Sequence, residues 1–318
     1  MLTRRHAGLL AAATPLAAAL PAAAQQAAPA QPGFHRFSIG GFTATTIFDG
    51  TARLNLPGFV LNAPIEQVQA TLAESFLPTD HYITPYTMTV VDTGRALVLF
   101  DAGTGGQLSQ QATQGMANMR AAGIDPARIT HVVLTHVHGD HITGLTTREG
   151  EAIFPNAELV VPDAEWRYWT DRSNEAAAPE RQRPNFANVA RRFAPYASRT
   201  RRVMDGQEAV AGVRAVLAAG HSPGHTCWHV ADGNAQFMVL GDITHRPELF
   251  ARQPGFHVMF DFDPAAAAET RRRLLDRVAA DRIRVTGYHF PFPAHGYMAR
   301  LPDGGFRYVA SDWMIGVG

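Results

Sequence analysis

His136-Val137-His138-Gly139-Asp140-His141 brings three imidazoles and one carboxylate into six residues, directly after a largely apolar run. Alternate side chains of a strand share one side, so the first two histidines are expected to converge on one metal ion where the strand ends. The glycine permits a tight turn, after which the aspartate and the last histidine can face a second ion from the start of a helix. Imidazole and carboxylate suit zinc and similar divalent ions, and the absence of thiolate ligands argues against a closed structural zinc site.

Three later segments each end a short strand-like run with Gly or Pro beside a His or Asp. Any one of these residues alone would more often be structural. Because all of them lie after a strand and beside a turn, we interpret them together as the remaining ligands of the same centre. The segments are Gly220-His-Ser-Pro-Gly-His-Thr226, Leu240-Gly-Asp-Ile-Thr-His245, and His289 after Ile283-Arg-Val285.

The order of these motifs resembles that of the metallo-β-lactamase fold superfamily, from about Phe34 to the C terminus. The resemblance implies an α/β fold, an αββα sandwich of two mixed sheets with outer helices, in a single hydrolase domain over residues 34–318. Asp101 matches an earlier aspartate of the family that supports the metal centre without binding metal. The implied metal ligands are His136, His138 and His225 for one ion, Asp140, His141 and His289 for the other, and Asp242 as the bridge between them.

Three other histidines, His221, His229 and His245, lie beside these motif positions, and we interpret them as supporting or structural residues. The family usually has Gly-His-Thr-Pro-Gly-His at residues 220–225, and this chain has Ser222 in place of the threonine. Serine keeps the hydroxyl group, so the substitution leaves the second histidine of the segment as the expected ligand.

The composition restricts the chemistry and the partners. The 318 residues are 46% hydrophobic and 18% charged, which suits one large globular domain or two small ones, and we favour one. All 28 basic residues are arginine, so Schiff-base and lysine general-base chemistry are excluded. The formal net charge is zero with neutral histidines, and no long basic stripe is present that would follow a phosphate backbone. Nucleic-acid binding is therefore not expected.

Residues 1–24 are typical of an export signal, with Arg4-Arg5, an apolar stretch and a small-residue cleavage site before Gln25. Adjacent arginines favour the twin-arginine route, with an ordinary secretory signal as the alternative. The apolar stretch is too short for a stable membrane span, and residues 25–33 are expected to form a flexible spacer. We therefore expect a periplasmic or secreted protein, whose single cysteine, Cys227, cannot form an internal disulfide.

The chain alternates strand-like and helical patterns without an internal repeat. Hairpins are predicted around residues 40–41 and 93–95, and a helix between Leu108 and Gly123 is predicted from apolar residues on one face. Another helix is expected to begin at Asp263-Pro264. The segment 163–202 is rich in aromatic residues, which either line a substrate pocket or belong to the core.

Within the superfamily, the motifs and the segment His289-Phe-Pro-Phe-Pro293 look most like the methyl parathion hydrolase group and its relatives, the N-acyl homoserine lactonases. That resemblance implies hydrolysis of small apolar lactones or esters, organophosphate triesters as a side activity, and a homodimer. Residues 290–293 are expected to form an apolar wall beside the metals. The alternatives are a β-lactamase, against which the bridging Asp242 argues, and a non-catalytic protein that binds a metal or another ligand.

The expected cofactors are two divalent metal ions, zinc first, with manganese, iron or cobalt also compatible. Two such ions lower the pKa of a bridging water from about 15.7 toward about 7, so that hydroxide attacks the substrate carbonyl at neutral pH. The expected catalytic residues are Asp140, which can accept and return the proton, and Asp242, which lies between the ions.

Overall fold

Two mixed sheets of seven strands each form the centre of the molecule. The computed structural model describes residues 32–312, and the predicted export signal lies outside this range together with most of the predicted spacer. The first sheet contains, in spatial order, β1 (Phe34–Ile39), β2 (Phe42–Asn55), β3 (His81–Asp92), β4 (Leu97–Phe100), β5 (His131–Val133), β6 (Glu158–Pro162) and β7 (Thr200–Val203).

The first sheet changes from antiparallel to parallel pairing at β4. Strands β1 to β4 pair as antiparallel neighbours, and both predicted hairpins form, one between β1 and β2 and one between β3 and β4. Strands β4 to β7 pair in parallel. Parallel strands end at the same edge of a sheet, so the residues that follow β4 and β5 meet there.

The second sheet is mainly antiparallel. Its strands are β8 (Glu208–Val210), β9 (Val213–Leu217), β10 (Thr226–Asp232), β11 (Ala235–Val239), β12 (Arg284–Thr286), β13 (Gly296–Arg300) and β14 (Phe306–Ala310). They lie side by side in the order of the chain, and the single parallel pair in this sheet is β11 with β12. That pairing brings the residues after β11 close to the residues after β12.

Helices cover the outer faces of both sheets. The α-helices are α1 (Ile65–Ala73), α2 (Gly115–Ala121), α3 (Gly139–Ile142), α4 (Asp163–Thr170), α5 (Ser173–Ala177), α6 (Arg183–Phe193), α7 (Pro247–Phe250) and α8 (Pro264–Ala280). Short 3₁₀ turns lie at Pro126–Arg128, Thr143–Leu145, Glu180–Gln182 and Ala194–Arg199. No helix within residues 32–312 combines the length and the apolar character needed to cross a membrane.

Three apolar clusters hold the layers together. Between the sheets, Phe100 and Val133 of the first pack in one cluster with Trp228 and Val239 of the second. Helices α2, α4 and α6 pack on the other face of the first sheet, and α8 packs on the other face of the second. Burial of apolar side chains on both faces of each sheet stabilises this order of layers. The predicted αββα sandwich is thereby confirmed.

One predicted helix begins later than its sequence pattern indicated. The apolar spacing predicted a helix from Leu108, but α2 begins at Gly115 and the Leu108 side chain is exposed. The buried carboxylate of Asp49 accepts hydrogen bonds from the backbone N–H groups of Thr104 and Gly115, and these bonds hold the intervening residues as a loop. The helix predicted at Asp263 does form as α8, with the Asp263 side chain accepting a hydrogen bond from a backbone N–H in its first turn.

Candidate metal centre

The edge where β4 and β5 end carries the first candidate ligands. His136 and His138 lie in the loop after β5, and His141 lies in α3. Asp101, directly after β4, accepts hydrogen bonds from the backbone N–H and the hydroxyl of Thr135, each 2.8 Å long. Its other contact is Nδ1 of His141, also at 2.8 Å. The Asp101 carboxylate therefore fixes the loop and turns Nε2 of His141 toward the centre of the site, in agreement with the supporting role expected for it.

Asp242 lies at the centre of the candidate site. It follows β11, its carboxylate is buried, and Oδ1 has no hydrogen-bond partner in the part of the chain that the structure describes. Its Oδ2 is surrounded by the Nε2 atoms of several histidines. The distances from Oδ2 are 3.0 Å to His289, 3.4 Å to His141 and His221, 3.6 Å to His245 and 4.0 Å to His136.

Two groups of side chains lie around Asp242, each with members within 4.0 Å of its Oδ2. In the first, Nε2 of His136 and Nε2 of His221 each lie 3.0 Å from Nδ1 of His138. In the second, Oδ2 of Asp140 lies 3.4 Å from Nε2 of His289 and 3.7 Å from Nε2 of His141. Both groups have the spacing of side chains that could hold a metal ion. The loops of the two sheets contribute to each group, so the centre forms only when the sheets pack together.

His225 lies next to the first group, and its ring centroid is 5.0 Å from that of His136. Its Nε2 accepts a hydrogen bond of 2.9 Å from the backbone N–H of Asp242, so this nitrogen supports the loop after β11. His221, four residues earlier, instead reaches His138 and Asp242 with its Nε2. The candidate metal groups thus include His221 and not His225, whereas the sequence predicted His225 as the ligand and His221 as a supporting residue. Which of the two binds the ion stays a prediction. The other six predicted ligands all belong to the groups that could hold a metal ion.

The charges of the centre suit cation binding. Burial lowers the pKa of His136 and His138 well below the ordinary histidine value, and the neighbouring imidazoles lower it further, so both rings are neutral and offer lone pairs. Burial alone would raise the pKa of Asp242, but His289 and His141 hold it well below its usual range. Asp242 is therefore an anion.

These residues fit divalent cations of the zinc type. Neutral imidazole nitrogens and carboxylate oxygens are the ligand atoms such ions take. In residues 32–312, Nε2 of His141 and Oδ1 of Asp242 are buried without a hydrogen-bond partner. Buried polar atoms left unpaired are costly, and an ion beside them would satisfy both.

A cavity of about 440 Å³ opens above the centre, and candidate ligands including Asp140 and Asp242 form its floor. Its walls are largely apolar, with a polar side formed by Arg181, Gln182, Asn185 and Asn188. The apolar lining residues are Leu54, Phe59, Tyr86, Leu108, Pro184 and Phe260.

Two predictions about the walls have different outcomes. The segment 163–202 does line the cavity, but with polar side chains and Pro184, while its aromatic residues Trp169, Phe186 and Tyr196 are buried in the core. The apolar wall predicted from residues 290–293 is wrong, because the described residues that line the cavity include none of these four. Phe290 instead packs in the core beneath α8, where its ring contacts Tyr308.

Three residues that support the ligands were not identified from the sequence. Asp261 lies 2.9 Å from Nδ1 of His221, Arg271 lies 3.6 Å from Asp261, and Glu165 contacts the loops on both sides of the site. Each occurs in a helix or loop pattern that also suits a solvated surface charge, so only burial in the folded chain distinguishes it. His245 was identified beside its motif, and the structure places it in a group with His221 and Asp242.

Comparison with known proteins gives one family. The family model described as Metallo-beta-lactamase superfamily matches residues 83–283, which is more than half of the chain and includes most of the candidate centre.

Solved structures share the fold over most of the chain. A crystal structure described as the hydrolase AbOPH in the beta-lactamase superfamily is 24% identical with a TM-score of 0.84, and covers 90% of this chain and 100% of its own. AidC, described as a dizinc quorum-quenching lactonase in complex with the product N-hexnoyl-L-homoserine, is 23% identical with a TM-score of 0.83, covering 89% and 99%. A probable metal-dependent hydrolase from Staphylococcus aureus is 20% identical with a TM-score of 0.71, covering 88% and 100%.

Proposed function

Because the chain belongs to the metallo-beta-lactamase superfamily, we propose that it is a metal-dependent hydrolase that opens lactones or cleaves small carboxylic esters. The observation that carries the proposal is the pair of ligand groups around Asp242 at the floor of a largely apolar cavity. A substrate with a polarised carbonyl and an apolar body suits both parts of this site. The similarity in fold to a dizinc lactonase supports the lactone as first candidate.

We assign the candidate ligands to two ions. His136, His138 and His221 would hold one, Asp140, His141 and His289 the other, and Asp242 would lie between them. When bound, two divalent ions supply a water of lowered pKa and positive charge to stabilise a developing oxyanion. Zinc is the first candidate, with manganese, iron and cobalt compatible with the same ligands.

The remaining steps belong to side chains of this chain. Asp140 is the more exposed of the two central carboxylates and lines the cavity, so the carboxylate oxygen that does not hold the ion can accept the proton of the attacking water and return it to the leaving alkoxide. Asp101 and Asp261 hold the Nδ1 sides of His141 and His221, which keeps the Nε2 atoms turned inward. The apolar side chains that line the cavity, which include Phe59 and Phe260, bind the apolar part of the substrate and exclude bulk water.

Organophosphate triesters are proposed as a side activity. Such a triester also presents a polarised oxygen and an apolar body, so the same cavity suits it. A β-lactamase is the main alternative, and the central Asp242 argues against it, because an enzyme of that class usually has no bridging aspartate. A non-catalytic metal-binding or ligand-binding protein is the other alternative.

The purified chain should be assayed against N-hexanoyl homoserine lactone, p-nitrophenyl acetate, paraoxon and nitrocefin, with metal analysis of the same sample. We expect hydrolysis of the lactone or the aryl ester, loss of activity on chelation, and recovery on addition of zinc or manganese. Asp242→Ala should lower both activity and bound metal, since it removes the carboxylate shared by the two groups. Preference for nitrocefin would establish the β-lactamase alternative, and two bound ions without any hydrolysis would establish the non-catalytic one.

We also propose export to the periplasm or beyond, on the basis of residues 1–24 alone. Expression of the full chain with Arg4-Arg5 changed to Lys-Lys should retain it in the cytoplasm if the twin-arginine route is used. Export of this variant at the normal rate would indicate the ordinary secretory route. Light scattering of the purified protein tests the homodimer that the family resemblance suggests.

A further inference from the structure

Glu165, in the first turn of α4, has a fully buried carboxylate that accepts four hydrogen bonds. Oε1 accepts from the hydroxyl of Ser222 at 2.5 Å and from the backbone N–H of Gly224 at 2.6 Å. Oε2 accepts from the backbone N–H of Val137 at 3.1 Å and from the indole N–H of Trp169 at 2.9 Å. Three of these four bonds reach outside the helix that carries the glutamate.

The partners of Glu165 lie inside the two loops that carry candidate ligands. Val137 is the residue between His136 and His138, in the loop that leaves the first sheet after β5. Ser222 and Gly224 lie in the segment 221–225, which leaves the second sheet after β9. One carboxylate thus connects the two ligand loops. Its Oε1 contacts the loop of the second sheet, and its Oε2 contacts the loop of the first.

The four contacts favour an ionised carboxylate and act against burial, which raises the pKa of Glu165. The two backbone N–H groups and the indole N–H can only donate, and a carboxylate offers about four lone-pair positions, all of which are used here. Within residues 32–312, no arginine or histidine lies within ion-pair distance of Glu165, so hydrogen bonds alone hold this charge. A glutamine in the same place would turn its NH₂ group toward either Gly224 or Val137 and leave a buried N–H without an acceptor.

We propose that Glu165 is a positioning residue that holds the loop of His136 and His138 against the loop of His221, so that the first ligand group keeps the spacing a metal ion needs. The inference goes beyond the assignment of the ligands and rests on the proposed function only in taking this group as a metal site. It does not depend on which substrate is hydrolysed. It also does not depend on whether His221 or His225 binds the ion, because Glu165 contacts the segment between them.

The test compares Glu165→Gln with the unchanged protein after removal and controlled return of metal. The zinc dissociation constant is measured by competition with a chromophoric chelator, and the visible absorption spectrum is recorded after cobalt substitution. We expect zinc to bind about 10- to 100-fold more weakly, the range typical when a group that orients metal ligands is lost. The cobalt bands should also shift or weaken, because the geometry of the ligands changes.

Asp49→Asn provides the matched control. Asp49 is another buried carboxylate, and its hydrogen bonds come from Thr104 and Gly115, which lie outside the two ligand loops that Glu165 joins. Its substitution should lower the melting temperature of the metal-free protein and leave the zinc dissociation constant within about twofold of the unchanged protein. If Glu165 only stabilised the fold, Glu165→Gln would behave like Asp49→Asn. An unchanged zinc dissociation constant and an unchanged cobalt spectrum in folded Glu165→Gln would therefore overturn the proposal.

Ser222→Ala covers the case in which Glu165→Gln does not fold. It removes one donor from the segment 221–225 and leaves Glu165 and the other loop intact. We expect a smaller loss of zinc affinity with a similar change in the cobalt spectrum, and no change in either would overturn the proposal. If the unchanged protein binds two ions tightly but hydrolyses no lactone or ester, the proposed function fails while the zinc measurements still decide the role of Glu165.

Discussion

Nδ1 of His221 lies 2.9 Å from Oδ1 of Asp261, and both side chains are buried next to the candidate metal centre. The contact requires the proton on Nδ1, so the lone pair of Nε2 faces His138 and Asp242. Behind Asp261 lies the buried guanidinium of Arg271, 3.6 Å from Oδ2. Arg271 also donates a hydrogen bond of 2.7 Å to the carbonyl of Ile243, the residue after Asp242. A buried cation therefore stabilises the supports of two candidate ligands.

Asp261→Asn tests the orientation of His221. Asparagine keeps the size of the side chain but weakens the acceptor for Nδ1–H, so we expect zinc to bind about 10- to 100-fold more weakly to the first group. Competition with a chelator measures this change. Asp263→Asn is the control, because Asp263 is an N-cap two residues away and asparagine caps a helix equally well. Equal zinc affinity in the two variants would show that Asp261 does not orient the ligand.

His221→Ala and His225→Gln separate the two histidines of the segment 220–225. His221→Ala removes a nitrogen of the first group, so the variant should bind one ion less and lose most activity. His225→Gln keeps an acceptor for the backbone N–H of Asp242 and should retain both ions, with a fall of about 1–3 kcal/mol in the free energy of unfolding. Metal analysis and denaturant titration of both variants provide the measurements, and loss of an ion in His225→Gln with two ions in His221→Ala would reverse the assignment.

Metal binding should release protons near neutral pH. Burial disfavours the charged form of His141, but Asp242, Asp140 and Asp101 together raise its pKa well above the ordinary value of 6.5, and Asp242 likewise raises the pKa of His289 against burial. In the metal-free protein these raised pKa values contribute stability that is present below pH 6.5 and lost as the pH rises through them. A cation must displace the same protons, so zinc affinity should increase with pH.

Calorimetric titration of zinc in buffers with different ionisation enthalpies counts the released protons. Asp101→Asn removes one of the carboxylates that raise the pKa of His141 and should reduce the count. Zinc affinity that stays constant between pH 6 and pH 8 would contradict this linkage.

Cys227 should have no part in the chemistry. Its side chain is fully buried in β10, and burial raises the pKa of the thiol. The native protein is therefore expected to react with Ellman's reagent only after denaturation. Cys227→Ala should lower the free energy of unfolding by about 1 kcal/mol through the small cavity it leaves, with activity unchanged. A variant that folds with full metal content but no activity would assign the thiol a role.

Removal of the buried charge on Arg271 should destabilise the fold strongly. Arg271→Met loses hydrogen bonds to three backbone carbonyls and leaves Asp261 without its counter-charge, so we expect a loss of about 3–5 kcal/mol in the free energy of unfolding. The double variant Arg271→Met with Asp261→Asn removes both charges and should recover part of this loss. Denaturant titration of the single and double variants measures the coupling, and strictly additive losses would show that the two charges act independently.

Much of the fold follows from local patterns that tertiary contacts leave unchanged. The turn at residues 40–41 lies between β1 and β2, and Asp263 caps α8 as its sequence indicates, because turn and capping preferences depend on neighbouring residues. The predicted start of α2 was wrong because it depends on a tertiary contact. Its loop is held by Asp49, which lies more than fifty residues earlier in the chain and cannot be paired with that loop by spacing alone.

The sequence by itself determined the chemistry of the centre, since the types and spacing of the residues at 136–141 already specify nitrogen and oxygen ligands for cations. Only the tertiary structure decided which histidine of the segment 220–225 faces Asp242, because Ser222 to Gly224 reverse the chain and spacing does not show toward which side each ring turns. It also decided that residues 290–293 lie outside the cavity wall and that Glu165 joins the two ligand loops. These relationships connect segments far apart in the chain and arise only when the two sheets pack together.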